Sequence, residues 1–153
     1  MYGFHLREPA VVENLRYTMG TNSATFNIGD PLTIESGLLT VSSAGDRVVG
    51  ICNEYKVCAA DNATVAQYKV SYIPAFPQYL FEADMDADGT QATVIGFYCN
   101  MTGTTGATQV DHSGLSSTVG QFYIHEIDPR GESDLSRVLC SVAEPQNLAY
   151  AQA

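Results

Sequence analysis

Apolar and polar residues alternate with a period of two along most of the chain after residue 25. The segment 31–42, PLTIESGLLTVS, contains two alternating runs on either side of a Ser-Gly pair. Successive side chains of a strand point to opposite faces, and Gly accommodates the backbone of a tight turn, so this segment predicts a β-hairpin. The segment 47–52, RVVGIC, predicts the start of a third strand, and 68–72, YKVSY, predicts a half-buried strand.

Turn-forming residues divide the rest of the chain into short runs. Pro74 and Pro77 interrupt the strand ladder, because neither nitrogen can donate a hydrogen bond, and they predict a bend. Further strands are predicted at 78–83, 93–100, 120–127 and 137–143. Strong breaks about every ten residues and few helix signals predict an all-β domain. The pattern leaves open whether this domain is a sandwich or a small barrel.

Residues 1–25 behave differently from the rest of the chain, and within them residues 11–19 fit neither the helical nor the strand period. Pro9 limits an early helix, and the apolar anchors of this segment do not form a self-contained element. These anchors are Tyr2, Phe4, Leu6, Val11 and Leu15. The segment predicts either an edge strand or an arm that packs on another subunit. We therefore divide the chain into an N-terminal arm at 1–25, a β domain at 26–145 and a small, polar, flexible tail at 146–153.

The charge of the chain restricts its partners. The 153 residues include 7 Lys and Arg against 17 Asp and Glu, which gives a net charge of −10. Nucleic acid and anionic membrane surfaces would repel such a protein, so we predict neither as a partner. Because 45% of the residues are hydrophobic and only 16% are charged, the composition is that of a folded domain rather than a disordered acidic tail.

Targeting signals and cysteines favour a reducing compartment. The start, MYGFHLRE, lacks an apolar stretch of signal-peptide length, and no run approaches the roughly 18 apolar residues of a membrane helix. We therefore expect synthesis in a reducing cytoplasm. The four cysteines form no pair or cluster with zinc-site spacing, so we expect buried free thiols. They are Cys52, Cys58, Cys99 and Cys140.

The string DMDADG at 84–89 matches the first half of an EF-hand calcium loop. The match then fails, because position twelve is Ile95 rather than a bidentate Glu, and no flanking amphipathic helices are evident. An acidic β-turn produces the same string without a metal. We interpret Asp84, Asp86 and Asp88 as a solvated turn, with weak calcium binding as the alternative.

No catalytic site is predicted. Asp111, His112 and Ser113 are the residue types of a hydrolase triad, but neighbours in an extended segment point to opposite sides and cannot relay a proton. His125 lies in a predicted strand, and we interpret it as a hydrogen-bonded core or interface histidine. The sequence contains no phosphate loop and no dinucleotide fingerprint. We therefore predict a protein that is not an enzyme and that needs no cofactor.

The order of these strands resembles that of the capsid decoration (cement) proteins of tailed bacteriophages. The opening run, FNIGDPLTIESGLL at 26–39, and DRVVGI at 46–51 are similar to the first strands of that family. The middle strands are matched by VSYIP at 70–74 and YLFEA at 79–83, and the closing strands by GQFYIHEIDP at 120–129 and RVLCSV at 137–142. The resemblance spans residues 26–145, and each motif is short.

The resemblance implies a small β-barrel or tulip-like domain that binds the outside of an assembled capsid. Members are commonly homotrimers with an extended N-terminal arm that touches the major capsid protein. It therefore implies a structural virion protein that stabilises the shell, located on the capsid exterior. In this protein, the residues expected to contact the partner are the anchors of the arm, Tyr2, Phe4, Leu6, Val11 and Leu15.

Two other functions are compatible with the same sequence. One is a different non-catalytic β module, either a phage tail or fibre domain or a carbohydrate-binding domain. The absence of Trp argues against a sugar site, whereas the nine Tyr leave room for one. The other is an enzyme whose active site is shared between subunits, for which Ser116 and Ser117 in their loop would be a poor nucleophile motif.

Overall fold

The computed structural model describes residues 2–9, 15–60 and 69–143. In chain order, its strands are β1 His5–Glu8, β2 Arg16–Met19, β3 Thr25–Phe26, β4 Pro31–Glu35, β5 Leu38–Val41, β6 Gly50–Cys52, β7 Lys56–Val57, β8 Lys69–Pro74, β9 Leu80–Asp84, β10 Tyr98–Cys99, β11 Met101–Thr102, β12 Gln109–Val110, β13 Phe122–Ile127 and β14 Arg137–Val142. A short helix, α1 Gln91–Val94, and a 3-10 turn, His112–Gly114, lie between β9 and β13.

Two five-stranded sheets form the molecule. The first sheet has the order β1-β9-β14-β13-β10, and the second has the order β2-β8-β6-β4-β5. Neighbouring strands are antiparallel in both sheets. Two-stranded ribbons, β3–β7 and β11–β12, are attached to them. The protein is therefore all-β and sandwich-like, as the alternation predicts, and the described strands form no closed barrel.

The larger core lies between the two sheets. Phe81, Phe122 and Cys140 contribute to it from the first sheet, and Ile51 and Ile73 contribute from the second. Each of these strands places alternate residues inward, which is how the two-residue period of the sequence becomes a packed layer.

A second core explains why the second sheet is buried on both faces. Val70 and Tyr72 of β8 point away from the first sheet and pack with Phe26. The sheet curls around this core until Gly20, next to β2, bridges Leu39 of β5. A Cβ on Gly20 would lie 2.6 Å from the Phe26 ring, so this position accepts only glycine without a shift of its neighbours.

Most strands predicted from alternation are present. The hairpin at 31–42 is β4 and β5, and its turn residues Ser36 and Gly37 both have positive φ. The strand predicted to start at 47–52 is β6. The strands predicted at 68–72, 78–83, 120–127 and 137–143 correspond to β8, β9, β13 and β14.

The strand predicted at 93–100 is wrong over its first half. Helix α1 occupies its beginning, and only Tyr98–Cys99 is strand. The Thr93 hydroxyl accepts the Thr90 backbone N–H at 3.2 Å, which satisfies a donor at the start of the helical turn. Val94 is fully buried, so the helix closes one end of the larger core.

The described part of residues 1–25 belongs to the sheets. Strand β1 is the edge of the first sheet and β2 is the edge of the second. Residues 5–8 and 16–19 are therefore edge strands, and apolar anchors of this segment bury surface against the core. Packing of an arm on another subunit and the domain boundary at residue 26 stay predictions. Val11 and the tail at 146–153 lie outside the described residues.

Candidate functional site

The structure brings three predicted partner-contacting residues together around one cavity. Phe4, Leu6 and Leu15 line a cavity of about 270 Å³ at the edge of the sandwich where β1 and β2 lie. We call this cavity the N-terminal cleft; its other lining residues are His5, Ile28, Cys52, Asn53 and Ile73. Most of its lining residues are apolar, while His5 and Asn53 add polar atoms, and this mixture is typical of a surface that binds a protein partner.

The predicted partner-contacting residues differ in their accessibility. Phe4 is 1% exposed and stacks on Phe122 with ring centroids 4.3 Å apart, so it is a core residue that offers no free surface. Leu6 and Leu15 are partly buried against the larger core. Tyr2 is 57% exposed, and its carbonyl oxygen is 2.7 Å from Nε2 of His5, which lines the cleft. Tyr2 is therefore the most available of these side chains.

Two glycines fix the backbone beside the cleft. Gly3 and Gly29 both have positive φ, and a Cβ on either would lie about 3 Å from the other residue's backbone. The Phe4 N–H donates to the Gly29 carbonyl at 2.8 Å. This close approach holds Ile28, which is 56% exposed, next to the N-terminal strand. Ile28 was not among the residues predicted from sequence, although the neighbouring Gly-Asp pair is a turn signal.

A buried carboxylate holds the loop that carries Ile28. Asp30 is fully buried and accepts hydrogen bonds from the backbone N–H groups of Asn27 and Gly106, at 3.2 and 3.0 Å. The Thr108 hydroxyl donates to the same carboxylate at 3.4 Å. Burial raises the pKa of Asp30, while these hydrogen bonds act in the opposite direction. Asp30 thus ties the loop beside the cleft to the loop that follows β11.

The N-terminal cleft lacks an activated nucleophile among its described residues. Burial raises the pKa of the Cys52 thiol to about 11, and its Sγ donates to the Glu54 carbonyl at 3.0 Å. A protonated, hydrogen-bonded thiol is a weak nucleophile. The Cys52 thiol is therefore unsuited to attack a ligand in the cleft.

A second surface lies at the opposite edge of the first sheet. It consists of Tyr98, Tyr123, His125 and Ser141, which we call the aromatic patch, and it borders a cavity of about 350 Å³. The Tyr123 ring lies 5.1 Å from the Tyr98 ring and 4.9 Å from the His125 ring, both edge to face. Of these residues, only His125 was considered as a candidate from the sequence. Tyr123 and His125 are two positions apart in one strand, and residues at that spacing lie on the same face, so the sequence does contain a signal that links them.

His125 is hydrogen-bonded, but it is not a core residue. Its Nε2 lies 2.8 Å from the Ser141 hydroxyl, and its side chain is exposed on the outer face of the first sheet. Partial burial lowers the pKa of His125. Of the two predicted positions for His125, the core position is wrong, because its neighbour Ile124 takes the inward place on β13. The interface position stays a prediction.

The same outer face carries a buried ion-pair cluster. The Glu82 side chain is 3% exposed and accepts hydrogen bonds from Arg7 and Arg130, each at 2.7 Å. The Arg130 hydrogen bond lowers the pKa of Glu82, and the charges of Arg130 and Arg7 act in the same direction. Because each carboxylate oxygen has a guanidinium partner, this cluster fastens β1 and the loop before β14 to β9.

The acidic string at 84–89 does not converge on one point. Asp84 is buried and pairs with Arg137 at 3.3 Å, whereas Asp86 and Asp88 are exposed. Asp86 accepts the His112 backbone N–H at 2.8 Å. In residues 2–9, 15–60 and 69–143, no three His, Cys, Asp or Glu side chains are grouped so that they could hold a metal ion. The solvated-turn interpretation therefore describes Asp86 and Asp88 but not Asp84.

The Asp111-His112-Ser113 string forms a local cap. Asp111 Oδ1 accepts hydrogen bonds from the backbone N–H and the hydroxyl of Ser113, at 2.9 and 2.7 Å, and from the Gly114 N–H at 3.2 Å. The Ser113 hydroxyl thus donates to the aspartate rather than to the histidine, an arrangement that caps the 3-10 turn.

The prediction of four buried free thiols is confirmed. All four cysteines are free and buried. Burial raises the pKa of each thiol, Cys99 and Cys140 most strongly. The cysteines therefore act as small apolar core residues in the folded protein.

Comparison with protein-family models, with curated proteins and with solved structures finds no match for this chain. Within the described residues, no helix has the length and apolar character needed to cross a membrane. The function must therefore be inferred from the resemblance of the strand motifs and from the two surfaces described above.

Proposed function

We propose that the protein is a structural virion protein that binds the outside of an assembled phage capsid. It would contact the major capsid protein and stabilise the shell by clamping neighbouring subunits, most simply as a homotrimer. The observation that carries the proposal is the N-terminal cleft, which is lined by residues of β1 and of the second sheet and has the exposed Ile28 in its wall. The exposed Tyr2 lies three residues before His5, another lining residue.

The physical properties of the chain are compatible with this role. A clamp opposes the separation of capsid subunits without any chemistry, and several copies on one lattice multiply modest contacts through effective concentration. Among the described strands, β1 and β2 each pair on one side only, and a partner chain can pair with the other side of such an edge strand. A net charge of −10 keeps the free protein away from nucleic acid and favours the exterior of a virus.

The test is co-sedimentation of the intact chain with mature phage heads that lack decoration. Saturable binding at a fixed copy number per head is the expected result. Deleting residues 2–15 would also remove Phe4 and β1 from the sheets, so exposed single positions give the cleaner variants. We expect Tyr2→Ala combined with Ile28→Ala to weaken binding at least about tenfold, because exposed apolar residues at an interface centre carry much of its energy.

Val119→Ala is the matched control, because Val119 is an apolar residue that is 64% exposed and lies in the loop before β13, away from the cleft. The control should bind heads as the parent does. Failure of the parent to sediment with heads, or unchanged binding of the double variant, would contradict the proposal.

A further inference from the structure

The residues of the aromatic patch lie on paired strands, so the register of those strands fixes their relative positions. Tyr98 of β10 lies directly opposite Tyr123 of β13, and Tyr123 lies directly opposite Ser141 of β14. His125 follows two residues after Tyr123 on the same face. Three side chains that combine a ring with a polar group, Tyr98, Tyr123 and His125, are therefore held beside the Ser141 hydroxyl on three hydrogen-bonded strands.

The patch offers hydrogen-bonding groups beside its rings. The His125 ring uses Nε2 for the Ser141 hydroxyl, which leaves Nδ1 as the nitrogen directed elsewhere. The Tyr98 and Tyr123 hydroxyls donate to no other described residue at hydrogen-bond distance. A ligand that carries several hydroxyl groups can exchange hydrogen bonds with these atoms while it packs against the rings.

The cavity at the patch carries no formal charge at neutral pH. Its remaining described lining residues are Pro77, Val142 and Ala143, which add apolar surface. Burial lowers the pKa of His125, which favours the neutral imidazole. An anionic ligand would find no cation among these lining residues, and a cationic ligand would find no carboxylate. The chemistry therefore matches a neutral molecule with one apolar face and a hydroxyl-bearing edge.

We infer that the aromatic patch binds a neutral sugar ring, with its C–H face against Tyr98 or Tyr123 and its hydroxyls directed to His125 and Ser141. The cavity volume of about 350 Å³ is at the small end of the range for ligand sites and suits a mono- or disaccharide unit. The N-terminal cleft differs in its lining residues, which include the aliphatic Leu6, Leu15 and Ile28 and, among the described residues, no tyrosine.

The sugar site is independent of the capsid-binding proposal. Strand β10 and strand β1 are the two opposite edges of the first sheet, so the patch and the N-terminal cleft lie at different ends of that sheet. Both surfaces can be occupied at once. A capsid carrying many copies would then present many weak sugar sites, and avidity would convert them into firm attachment to a glycan-coated surface.

The experiment is a titration of the intact chain, labelled with nitrogen-15, followed by two-dimensional amide NMR. The neutral probes are maltose, cellobiose, lactose and N,N′-diacetylchitobiose, and the charged probes are sialyllactose and glucosamine. We expect saturable shifts in β10, β13 and β14 with at least one neutral probe, at a dissociation constant of about 0.1–10 mM. The charged probes should bind no more tightly than the neutral ones.

Point variants test whether sugar binds at the aromatic patch or elsewhere on the surface. Tyr98→Ala and His125→Ala should each weaken sugar binding at least about tenfold, because each removes a ring or its hydrogen-bonding group. Tyr123→Phe keeps the ring and should retain most of the affinity. Tyr17→Ala removes a tyrosine that is 59% exposed on β2 and should bind sugar as the parent does.

Three outcomes would overturn the inference. The first is no shift with any neutral probe at about 50 mM, a concentration at which even a dissociation constant of about 10 mM gives clear occupancy. The second is unchanged sugar binding in folded Tyr98→Ala and His125→Ala. The third is preferential binding of a charged probe. His125→Ala alters an exposed side chain and serves as the decisive variant if Tyr98→Ala unfolds. Sedimentation of both variants with heads should be unchanged, which separates this inference from the proposed function.

Discussion

Two buried carboxylates with opposite pKa shifts show how single residues are set by their surroundings. Glu82 lies between two guanidinium groups, which stabilise its charged form. Asp30 has only neutral donors around it, and burial is the largest influence on its pKa. Both side chains have little exposure to solvent, but burial has the larger influence on the pKa of Asp30, whereas the hydrogen bond from Arg130 has the larger influence on the pKa of Glu82.

Glu82→Gln should lower the free energy of unfolding by about 1–2 kcal/mol at neutral pH, because its charge-assisted hydrogen bonds to two partly exposed arginines are weakened. The pKa of Glu82 is lowered from 4.5 in the folded state, so its stabilisation is present above 4.5 and is lost as the pH falls through the lowered pKa. Urea unfolding of parent and variant at a series of pH values measures this. A difference that persists undiminished in strong acid would contradict it.

The contribution of Asp30 to stability should have the opposite dependence on pH to that of Glu82. Its pKa is raised from 3.8 in the folded state, so its contribution to stability is greatest below 3.8 and decreases as the pH rises through the raised pKa. Carbon-13 NMR of the side-chain carboxyl groups should place the Asp30 titration above 3.8 and that of Glu82 below 4.5. A titration of Asp30 at or below 3.8 would show that its hydrogen bonds outweigh its burial.

At the scale of elements, the second sheet depends on one close approach. Gly20 follows β2 and bridges Leu39 of β5, which brings the two ends of the sheet together over the second core. The Thr21 N–H donates to the Leu39 carbonyl at 2.8 Å, and the Thr21 hydroxyl donates to the same oxygen at 2.8 Å. This contact turns an open sheet into a curled one, and it leaves no room for a side chain.

Gly20→Ala should destabilise the protein by about 1–3 kcal/mol, because the added methyl group would overpack the core. The Cβ would meet the Phe26 ring at 2.6 Å and the Cys58 Sγ at 2.9 Å. Thermal unfolding measures the effect. Gly37→Asn is the control: its φ is positive, which Asn tolerates, and a Cβ there meets nothing within 4 Å. Equal melting temperatures for Gly20→Ala and the parent would contradict this account of the curl.

At the scale of the whole molecule, the larger core joins the N-terminal segment to both sheets. Phe4 precedes β1, stacks on Phe122 of β13 and lies in the same cluster as Ile51 and Ile73 of the second sheet. Residues that the sequence marks as an interface arm therefore help to hold the sandwich together. The exposed Tyr2, two residues earlier, takes no part in this cluster.

Phe4→Ala should lower the free energy of unfolding by about 3–5 kcal/mol, the range for removing a buried aromatic side chain. Tyr2→Ala should change it by less than about 0.5 kcal/mol, because Tyr2 is exposed. Chemical denaturation followed by far-ultraviolet circular dichroism compares the two variants. A similar loss of unfolding free energy in both variants would contradict the assignment of Tyr2 to the surface and Phe4 to the core.

The strand content was predictable because a two-residue period survives in any strand with two different faces. The hairpin of β4 and β5, and strands β9, β13 and β14, all carry that period or a turn signal beside it. Helix α1 was not predictable from periodicity, because a four-residue helix is too short to show its own repeat and depends on Thr90 and Thr93 for its first turn. The two candidate surfaces were predictable only in part. Tyr2, Leu6 and Leu15 were marked by their apolar character, whereas Ile28, Tyr98 and Tyr123 were not.

Local patterns in the sequence are enough to predict the all-β class, the positions of most turns, the acidity and the free, buried state of the cysteines. Each of these follows from composition or from patterns over a few neighbouring residues. Three features are seen only in the tertiary structure. They are the order of strands in the two sheets, the core role of Phe4, and the grouping of side chains from distant strands into the cleft and the patch. These features depend on contacts between residues far apart in the chain, and local patterns carry no information about which distant segments pair.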